Sequence, residues 1–307
     1  MTAVAVVAGG VGAARMLGGL VQVVDPASIT AVVNTGDDVE LHGLHISPDI
    51  DTITYTLAGA VNPETGWGLV GETWQAMEAL GRYGGVTWFN LGDRDLGTHL
   101  YRTQRLREGA SLTQVTGEIA AAWDLGVALV PMSDDPVRTM ITVVDEGEIG
   151  FQDYFVRRHH DVEATAIRFA GVDDATPSPA ALAALADAER VVIAPSNPLV
   201  SIAPVLAVPG LREAIEARRE DCVAVSPIIA GTTVKGPADR LLTELGHDAS
   251  VVGVARLYAP LATRLVIDEA DADLADAVTA EGIEAVVAPT MMHGPPEAAA
   301  LARVVLS

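Results

Sequence analysis

The feature that most constrains the fold is an alternation, along most of the chain, of short apolar runs with segments of helical periodicity. Runs typical of buried strands lie at residues 3–8, 29–34, 127–131, 190–194, 222–226, 250–255, 264–267 and 283–288. Helical patterns lie at residues 13–24, 73–80, 113–123, 179–189, 211–219, 237–245 and 295–305. Continuous apolar strands are buried on both faces, so the pattern predicts an α/β, Rossmann-like fold, a mostly parallel sheet with helices on both faces.

One segment in the middle of the chain breaks this alternation. Residues 139–144 and 149–156 flank the turn Asp145-Glu146-Gly147-Glu148 and together predict a β-hairpin. We interpret residues 139–156 as an antiparallel insertion. No linker or internal repeat interrupts the sequence, and we therefore expect a single α/β domain over residues 1–307.

The charge balance excludes several classes of partner. The chain has 19 Lys and Arg against 41 Asp and Glu, a formal net charge of −22. Nucleic acids and anionic membrane surfaces require a dense basic footprint, which this sequence lacks. No apolar window reaches the length of about 18 residues that a membrane span needs. Cys222 is the only cysteine and excludes an intramolecular disulfide, so we expect a cytoplasmic protein.

The acidity has two interpretations. Lys235 is the only lysine, and the other cations are arginines. This composition suits a protein adapted to concentrated salt, because salt screens the repulsion among like charges. An ordinary acidic protein from a GC-rich genome would look similar.

A glycine-rich turn follows the first predicted strand. Gly9, Gly10, Val11 and Gly12 lie between that strand and a helix predicted to begin near Ala13. Glycines let the backbone approach an anion closely, and a helix N-terminus supplies N–H donors, so the turn predicts a phosphate site. A tight turn without a ligand is the alternative. The turn matches only the first half of a dinucleotide-binding fingerprint.

Four carboxylates follow the second predicted strand. Asp37 and Asp38 come directly after it, and Asp49 and Asp51 lie in what we interpret as a second loop at the same edge of the sheet. Aspartate oxygens are ligands for Mg²⁺, which usually binds one or two carboxylates together with water and substrate phosphates. Capping and turn formation are the alternative roles.

Other strand ends carry further candidates for binding. Asn34 ends the second strand, and Ser196 and Asn197 follow the fourth. Arg94, between Asp93 and Asp95, could either pair locally or present its guanidinium to a phosphate or a planar ring. We interpret His99 as a structural helix-start residue and place His159 and His160 in a solvated turn. Trp67, Trp74 and Trp88 could stack on a flat ring, although core packing is the commoner role.

Several strings together resemble the 2-phospho-L-lactate transferase family of coenzyme F-420 biosynthesis (CofD/FbiA type). They are the glycine turn, NTGDD at 34–38, ISPDIDT at 46–52, LGDRDLGTH at 91–99, PMSDDPV at 131–137, FQDYFV at 151–156, APSNPLVSI at 194–202 and SPIIAG at 226–231. The resemblance covers essentially the whole chain. It implies transfer of a phospholactyl group, or its enolpyruvyl analogue, from lactyl-2-diphospho-5′-guanosine to the deazaflavin Fo (7,8-didemethyl-8-hydroxy-5-deazariboflavin). The products are coenzyme F-420-0 and GMP.

The resemblance also implies roles for individual residues. It implies Mg²⁺ as cofactor and a homodimer. Asp51 and Arg94 would contact the deazaflavin, and Asp37, Asp38 and Asp51 would be the metal ligands. Asp51 is the candidate catalytic residue, which either orients the attacking hydroxyl or accepts its proton. As a loop residue, Asp51 should be replaceable by Asn without loss of folding, and Asp49 should be only a turn residue.

Two other functions remain open from the sequence. A nucleotide-sugar-binding regulatory protein could share a distant version of this core, although the GDRD and PSNP strings argue against it. An NAD(P)-dependent oxidoreductase could use the same glycine turn, although the third glycine of its fingerprint is missing.

Overall fold

The structure is a computed structural model that describes residues 3–307; Met1 and Thr2, which begin the apolar N-terminal run, lie outside the described residues. The strands are β1 (Val4–Ala8), β2 (Ile29–Val33), β3 (Val39–Leu41), β4 (Leu44–Ile46), β5 (Ala128–Pro131), β6 (Arg138–Val143), β7 (Gly147–Gly150), β8 (Ala164–Ala170), β9 (Arg190–Ile193), β10 (Cys222–Val225), β11 (Ile228–Ile229), β12 (Thr232–Thr233), β13 (Arg264–Ile267) and β14 (Glu284–Val287). The α-helices are α1 (Gly10–Leu20), α2 (Pro48–Leu57), α3 (Gln75–Arg82), α4 (Asp95–Arg107), α5 (Leu112–Ala122), α6 (Pro179–Asp187), α7 (Ala203–Ala207), α8 (Leu211–Glu216), α9 (Ala238–Glu244), α10 (Val251–Tyr258), α11 (Ala275–Ala280) and α12 (Pro295–Leu306). No helix in residues 3–307 is long and apolar enough to span a membrane.

A seven-stranded parallel sheet forms the centre of the molecule. Its strand order is β14-β13-β10-β9-β1-β2-β5, and Val4 of β1 pairs with Ile29 of β2 on one side and Arg190 of β9 on the other. Along the chain, the sheet extends from β1 through β2 to the edge strand β5. Strand β9 then pairs with the other side of β1, and β10, β13 and β14 follow toward the opposite edge. This order confirms the predicted Rossmann-like α/β fold and places a binding crevice at the carboxyl ends of β1 and β9.

Both faces of the sheet are covered by helices. Every residue of β1 is buried, and its side chains alternate between two hydrophobic clusters. Ala5 and Val7 belong to the cluster that includes residues of α6, α8 and α10, whereas Val6 belongs to the cluster with α1, α2 and α12. The continuous apolar runs of the sequence reflect this burial on two sides.

The predicted strand at residues 250–255 is wrong. This segment forms α10, and the side chain of Ser250 caps it by accepting hydrogen bonds from the backbone N–H groups of Val252 and Gly253, both at 3.2 Å. A short apolar run does not by itself distinguish a buried strand from a buried helix. The serine cap was the local signal for the helix.

The antiparallel insertion is present, and its second arm is shorter than predicted. Strands β6 and β7 pair from Met140↔Gly150 to Val143↔Gly147, and β8 adds a third, unpredicted strand beside β6. Residues 151–156 leave the sheet and enter a π-helical turn at Asp153–Arg157. Phe151 and Tyr154, spaced three residues apart, both pack into the small core of the insertion. Tertiary packing thus ends the hairpin at Gly150.

Three segments near the predicted site are helical where the sequence predicts loops. Helix α1 begins at Gly10 rather than near Ala13, which makes the glycine turn its first turn. Asp49 and Asp51 lie in the first turn of α2, and Pro48 occupies a position at which proline favours helix initiation. The predicted loop around Arg94 leads directly into α4.

Candidate functional site

A cleft of about 620 Å³ lies at the carboxyl ends of β1 and β9, where the strand order reverses. Its walls come from the N-terminal turn of α1, from α2, from the turn after β9, from the end of the insertion and from the segment around β11 and β12. The position is the one expected for ligands in a doubly wound sheet.

The glycine turn forms the floor of this cleft, and all four predicted residues, Gly9 to Gly12, line it. The positive φ of Gly10, 70°, lies in the left-handed region that favours glycine. A Cβ at Gly12 would lie 2.1 Å from the carbonyl oxygen of Pro195, so only glycine allows the two turns to pack this closely.

The turn after β9 lies against the glycine turn. Ser196 and Asn197 line the cleft as predicted. The Ser196 hydroxyl donates to the carbonyl oxygen of Gly9 at 2.8 Å, and the Asn197 side-chain oxygen accepts from the N–H of Leu199 at 2.9 Å. Within the described residues, Nδ2 of Asn197 is buried without a hydrogen-bond partner. This amide is therefore a donor available to a ligand.

Asp37 and Asp49 are an interacting acidic pair that lines the cleft, and Asp49 faces the glycine turn. Burial and the neighbouring Asp49 charge raise the pKa of Asp37 well above its usual range. Burial raises the pKa of Asp49 to about 6, although hydrogen bonds from Asn34 and from the backbone of Gly10 oppose the shift. In the described part of the chain, Oδ1 of Asp37 has no hydrogen-bond partner. Two buried carboxylates with raised pKa values favour a proton or a cation between them.

Asn34 and Asp38 support this pair from outside the cleft. Asn34 is fully buried, and its Nδ2 donates to Asp49 Oδ2 at 2.9 Å. Asp38 Oδ2 lies 2.8 Å from both the Ser47 hydroxyl and Nε2 of His45. Among residues 3–307, neither Asn34 nor Asp38 is one of those that line the cleft. Both therefore position their neighbours.

Asp51 faces the cleft and is bound from behind by Arg102. Both carboxylate oxygens accept from the guanidinium, Oδ2 from Nη1 at 3.1 Å and Oδ1 from Nη2. Arg102, on α4, has no exposed surface. Burial raises the pKa of Asp51, while the charges of Arg102 and His99 act to lower it.

His99 and Arg102 are functional candidates that the sequence analysis missed. His99 lies one turn before Arg102 on α4 and lines the cleft, with Nδ1 3.7 Å from Asp51 Oδ2 and Nε2 3.2 Å from Asp95 Oδ2. Tyr55 completes this side by donating to Asp95 Oδ1 at 2.5 Å. The spacing of His99 and Arg102 on one helix face was the available signal, but it is visible only once α4 is recognised as a helix.

Arg94 lies on the surface, outside the group of cleft-lining residues. Its Nη1 donates to the carbonyl oxygen of Val70 at 2.8 Å, and its backbone N–H donates to Glu72 Oε2 at 2.9 Å. The neighbouring Asp93 accepts hydrogen bonds from the first N–H groups of α3. In this conformation, the motif around Arg94 anchors the segment that precedes α3.

Aromatic side chains form part of the apolar wall of the cleft. Phe151 and Phe155 stack with ring centres 5.5 Å apart and planes at 8°, and His160 stacks on Phe155 at 5.6 Å. Of the three tryptophans considered from the sequence, only Trp67 lines the cleft in the described structure. His159 and His160 lie in a turn, as predicted, with His159 exposed and His160 half-buried, and this turn also borders the cleft.

Comparison with known proteins gives the family of this chain. The profile of the family described as 2-phospho-L-lactate transferase CofD matches residues 4–291. The chain belongs to this family. It is thus a transferase of coenzyme F-420 biosynthesis.

Relatives of known name agree with this membership. The chain is 45% identical over 306 residues to a phosphoenolpyruvate transferase of Kitasatospora aureofaciens, covering 98% of this chain and 95% of the relative. It is also 45% identical over 305 residues to a phosphoenolpyruvate transferase of Streptomyces griseus, covering 98% and 96%. The crystal structure of protein BH3568 from Bacillus halodurans superimposes with a TM-score of 0.65 at 17% identity, covering 100% of this chain and 99% of that one. At this identity the structural likeness establishes the fold alone.

Proposed function

We propose that this member of the CofD family transfers a phosphorylated three-carbon acid from a guanosine diphosphate ester to the ribityl hydroxyl of Fo in a Mg²⁺-dependent reaction. The enolpyruvyl ester is the proposed donor, because the relatives described above are named phosphoenolpyruvate transferases. The phospholactyl ester is the alternative donor. The observation that carries the proposal is the buried pair Asp37 and Asp49, of which Asp49 faces a glycine-rich helix N-terminus.

Asp37 and Asp49 are the proposed Mg²⁺ ligands. The unpartnered Oδ1 of Asp37 and the raised pKa values of both carboxyls fit a hard divalent cation. In residues 3–307, no group of three or more His, Cys, Asp or Glu side chains forms a metal cage. Water and the donor would therefore supply the remaining ligands. When bound, Mg²⁺ supplies positive charge that offsets the diphosphate and stabilises the departing GMP.

This proposal replaces part of the ligand set that the resemblance implied. Asp38 does not line the cleft, and its Oδ2 already accepts from the Ser47 hydroxyl and contacts His45. Asp51 is paired with Arg102. Asp49, expected to be only a turn residue, takes their place because it lies in the first turn of α2 and faces Gly9. A Cβ at Gly9 would lie 2.8 Å from Asp49 Oδ2.

The glycine turn is the proposed diphosphate site. The N–H groups in the first turn of α1 have no partners within the helix and suit phosphate oxygens. The nearby Asp49 carboxylate would repel a phosphate unless a proton or cation neutralised it. The same geometry therefore explains why a divalent metal should be required for donor binding.

Asp51 is the proposed partner of the acceptor hydroxyl. Arg102 holds both carboxylate oxygens in a fixed plane, and each oxygen retains a lone pair for a further hydrogen bond. Because this carboxylate faces the cleft in a fixed orientation, we infer that Asp51 orients the ribityl hydroxyl toward the phosphorus. Alignment of this kind can contribute several kcal/mol to catalysis.

The apolar wall is the proposed site for the deazaflavin ring. Phe151, Phe155 and Trp67 line the cleft, and the two phenylalanine rings stack on each other. Aromatic pairs of this kind favour offset or edge contacts with a planar ligand. Arg94 would contact the deazaflavin only after a rearrangement that breaks its hydrogen bond to the carbonyl oxygen of Val70.

The decisive experiment combines purified protein, Fo, Mg²⁺ and each of the two guanosine diphosphate esters, with products identified by mass spectrometry. We expect GMP and a phosphodiester of Fo, formed faster from the enolpyruvyl ester. Product formation in excess chelator would contradict the metal proposal, and absence of any Fo adduct would contradict the acceptor. We also propose a homodimer by analogy with the family, which light scattering after size-exclusion chromatography would test.

A further inference from the structure

Two cations line the cleft of this acidic protein. Arg15 on α1 and Lys235, between β12 and α9, are the only Arg or Lys side chains among the cleft-lining residues that the structure describes. Lys235 is also the only lysine in a chain of net charge −22. The motif strings that carry the family resemblance do not include Lys235. Its location therefore requires an explanation.

Lys235 lies beside the glycine turn. Its Nζ donates to the carbonyl oxygen of Thr65. Gly66, which follows Thr65, has a φ of +72°, and a Cβ placed there would lie 2.9 Å from Nζ of Lys235 and 3.6 Å from Cγ1 of Val11. Val11 is part of the glycine turn. These contacts place the ammonium group at the edge of the proposed diphosphate site.

Arg15 and Lys235 lie close enough to affect each other. Partial burial and, secondarily, the Arg15 charge lower the pKa of Lys235. Each cation uses a backbone carbonyl as its hydrogen-bond partner, Met292 O at 3.2 Å from Nη1 for Arg15 and Thr65 O for Lys235. Neither forms an ion pair with a carboxylate in residues 3–307, although the chain contains 41 acidic residues. Two adjacent cations without a carboxylate partner favour an anionic ligand.

We propose that Lys235, together with Arg15, binds the diphosphate of the nucleoside diphosphate donor beside the glycine turn. This inference rests on the proposed function, because it assigns a position to the donor's anionic group. A charged phosphate oxygen is a better partner for an ammonium group than the carbonyl of Thr65. Donor binding would therefore move Nζ from Thr65 to the diphosphate. Asp37 and Asp49 would act on the same group through Mg²⁺.

The test measures GDP binding by isothermal titration calorimetry in the presence of Mg²⁺. The variants are Lys235→Met, Lys235→Arg and Arg303→Met. Arg303 is an exposed residue of α12, so Arg303→Met controls for the loss of one positive charge. We expect Lys235→Met to weaken the Kd for GDP about 10- to 100-fold, the range for losing one charge-assisted hydrogen bond. Lys235→Arg should restore most of the affinity, and Arg303→Met should bind within about twofold of the wild type.

Two results would overturn the inference while leaving the proposed function intact. One is wild-type affinity in Lys235→Met, and the other is an equal loss in Arg303→Met, which would indicate a net-charge effect. Failure of the wild-type protein to bind GDP would instead overturn the guanosine diphosphate donor and this inference together. Thermal melts of each variant confirm folding, which should be unaffected because Lys235 lies in an exposed segment.

Discussion

Replacement of Asp51 by asparagine should destabilise the fold as well as impair catalysis. On a loop, this change would leave folding intact, but the structure pairs Asp51 with a completely buried arginine. Asparagine retains one oxygen and loses the charge, which leaves the Arg102 guanidinium without a counter-ion. Breaking a buried pair on one side costs about 3–5 kcal/mol.

This loss of unfolding free energy can be measured as a decrease in the melting temperature, Tm. The unfolding entropy is about 2.1 cal/mol/K per residue, so a loss of about 3 kcal/mol in a chain of 307 residues lowers Tm by about 5 °C. We expect this decrease for Asp51→Asn, accompanied by a decrease in kcat of about 10²-fold or more. Glu216→Gln is the matched control, because Glu216 forms an exposed ion pair with Arg212 on α8. It should leave Tm nearly unchanged.

A double-mutant cycle separates the buried pair from other effects. Arg102→Met fills the space of the arginine with an apolar side chain, and removal of both charges avoids an uncompensated ion. Asp51→Asn/Arg102→Met should therefore be more stable than the sum of the two single losses indicates. A Tm of Asp51→Asn within about 1 °C of the wild type would refute the reasoning. Strict additivity in the cycle would show that the two side chains are not energetically coupled.

Three further predictions concern the metal, pH and salt. Asp37→Asn should raise the Mg²⁺ concentration for half-maximal activity at least about tenfold. Asp38→Asn should raise it less, because of these two residues only Asp37 faces the cleft. Equal shifts of the two variants in Mg²⁺ titrations would contradict the assignment. The pKa of Asp49 in the folded protein is about 6, above its ordinary value of 3.8. Between these two pH values the folded state holds a proton on Asp49 that the unfolded state has lost. The contribution of Asp49 to the stability of the metal-free protein should therefore decrease from about pH 4 to pH 6. The increase in Tm on adding Mg²⁺ should accordingly be larger at pH 7 than at pH 5, and a larger increase at pH 5 would be the opposite result. The repulsion within a chain of net charge −22 is screened when the Debye length falls to about 3 Å at 1 M salt. The Tm should therefore rise as KCl approaches molar concentrations. A steady fall in Tm would contradict salt adaptation.

The sequence by itself determined the fold class and the location of the binding edge. Strands such as β1 and β2 are continuous apolar runs because both faces of a parallel sheet are covered, and this burial is visible in contiguous residues. The glycine turn was equally visible, because a positive φ at Gly10 and the close approach of Pro195 to Gly12 require residues without a Cβ. The short strings around these features were enough to predict the family.

Local signals were less reliable where two structures share one pattern. The apolar run at residues 250–255 suits a strand or a helix, and only its packing in the core made it α10. The acidic segment around Pro48 resembles a loop, although the proline also favours a helix start. The assignment of Asp49 to a turn followed from this error.

Only the tertiary structure decided which side chains face the cleft and which partners they have. Asp51 meets Arg102 51 positions later because side chains of α2 and α4 converge at the cleft, and Lys235 reaches the carbonyl of Thr65 across 170 positions. Asp37 and Asp38 are adjacent in sequence, yet one lines the cleft and the other binds Ser47 and His45. Burial, ion pairing and shifted pKa values depend on distances between remote segments, which no local periodicity encodes. The chemistry of the site was therefore set by packing, on a sheet edge that the sequence had already located.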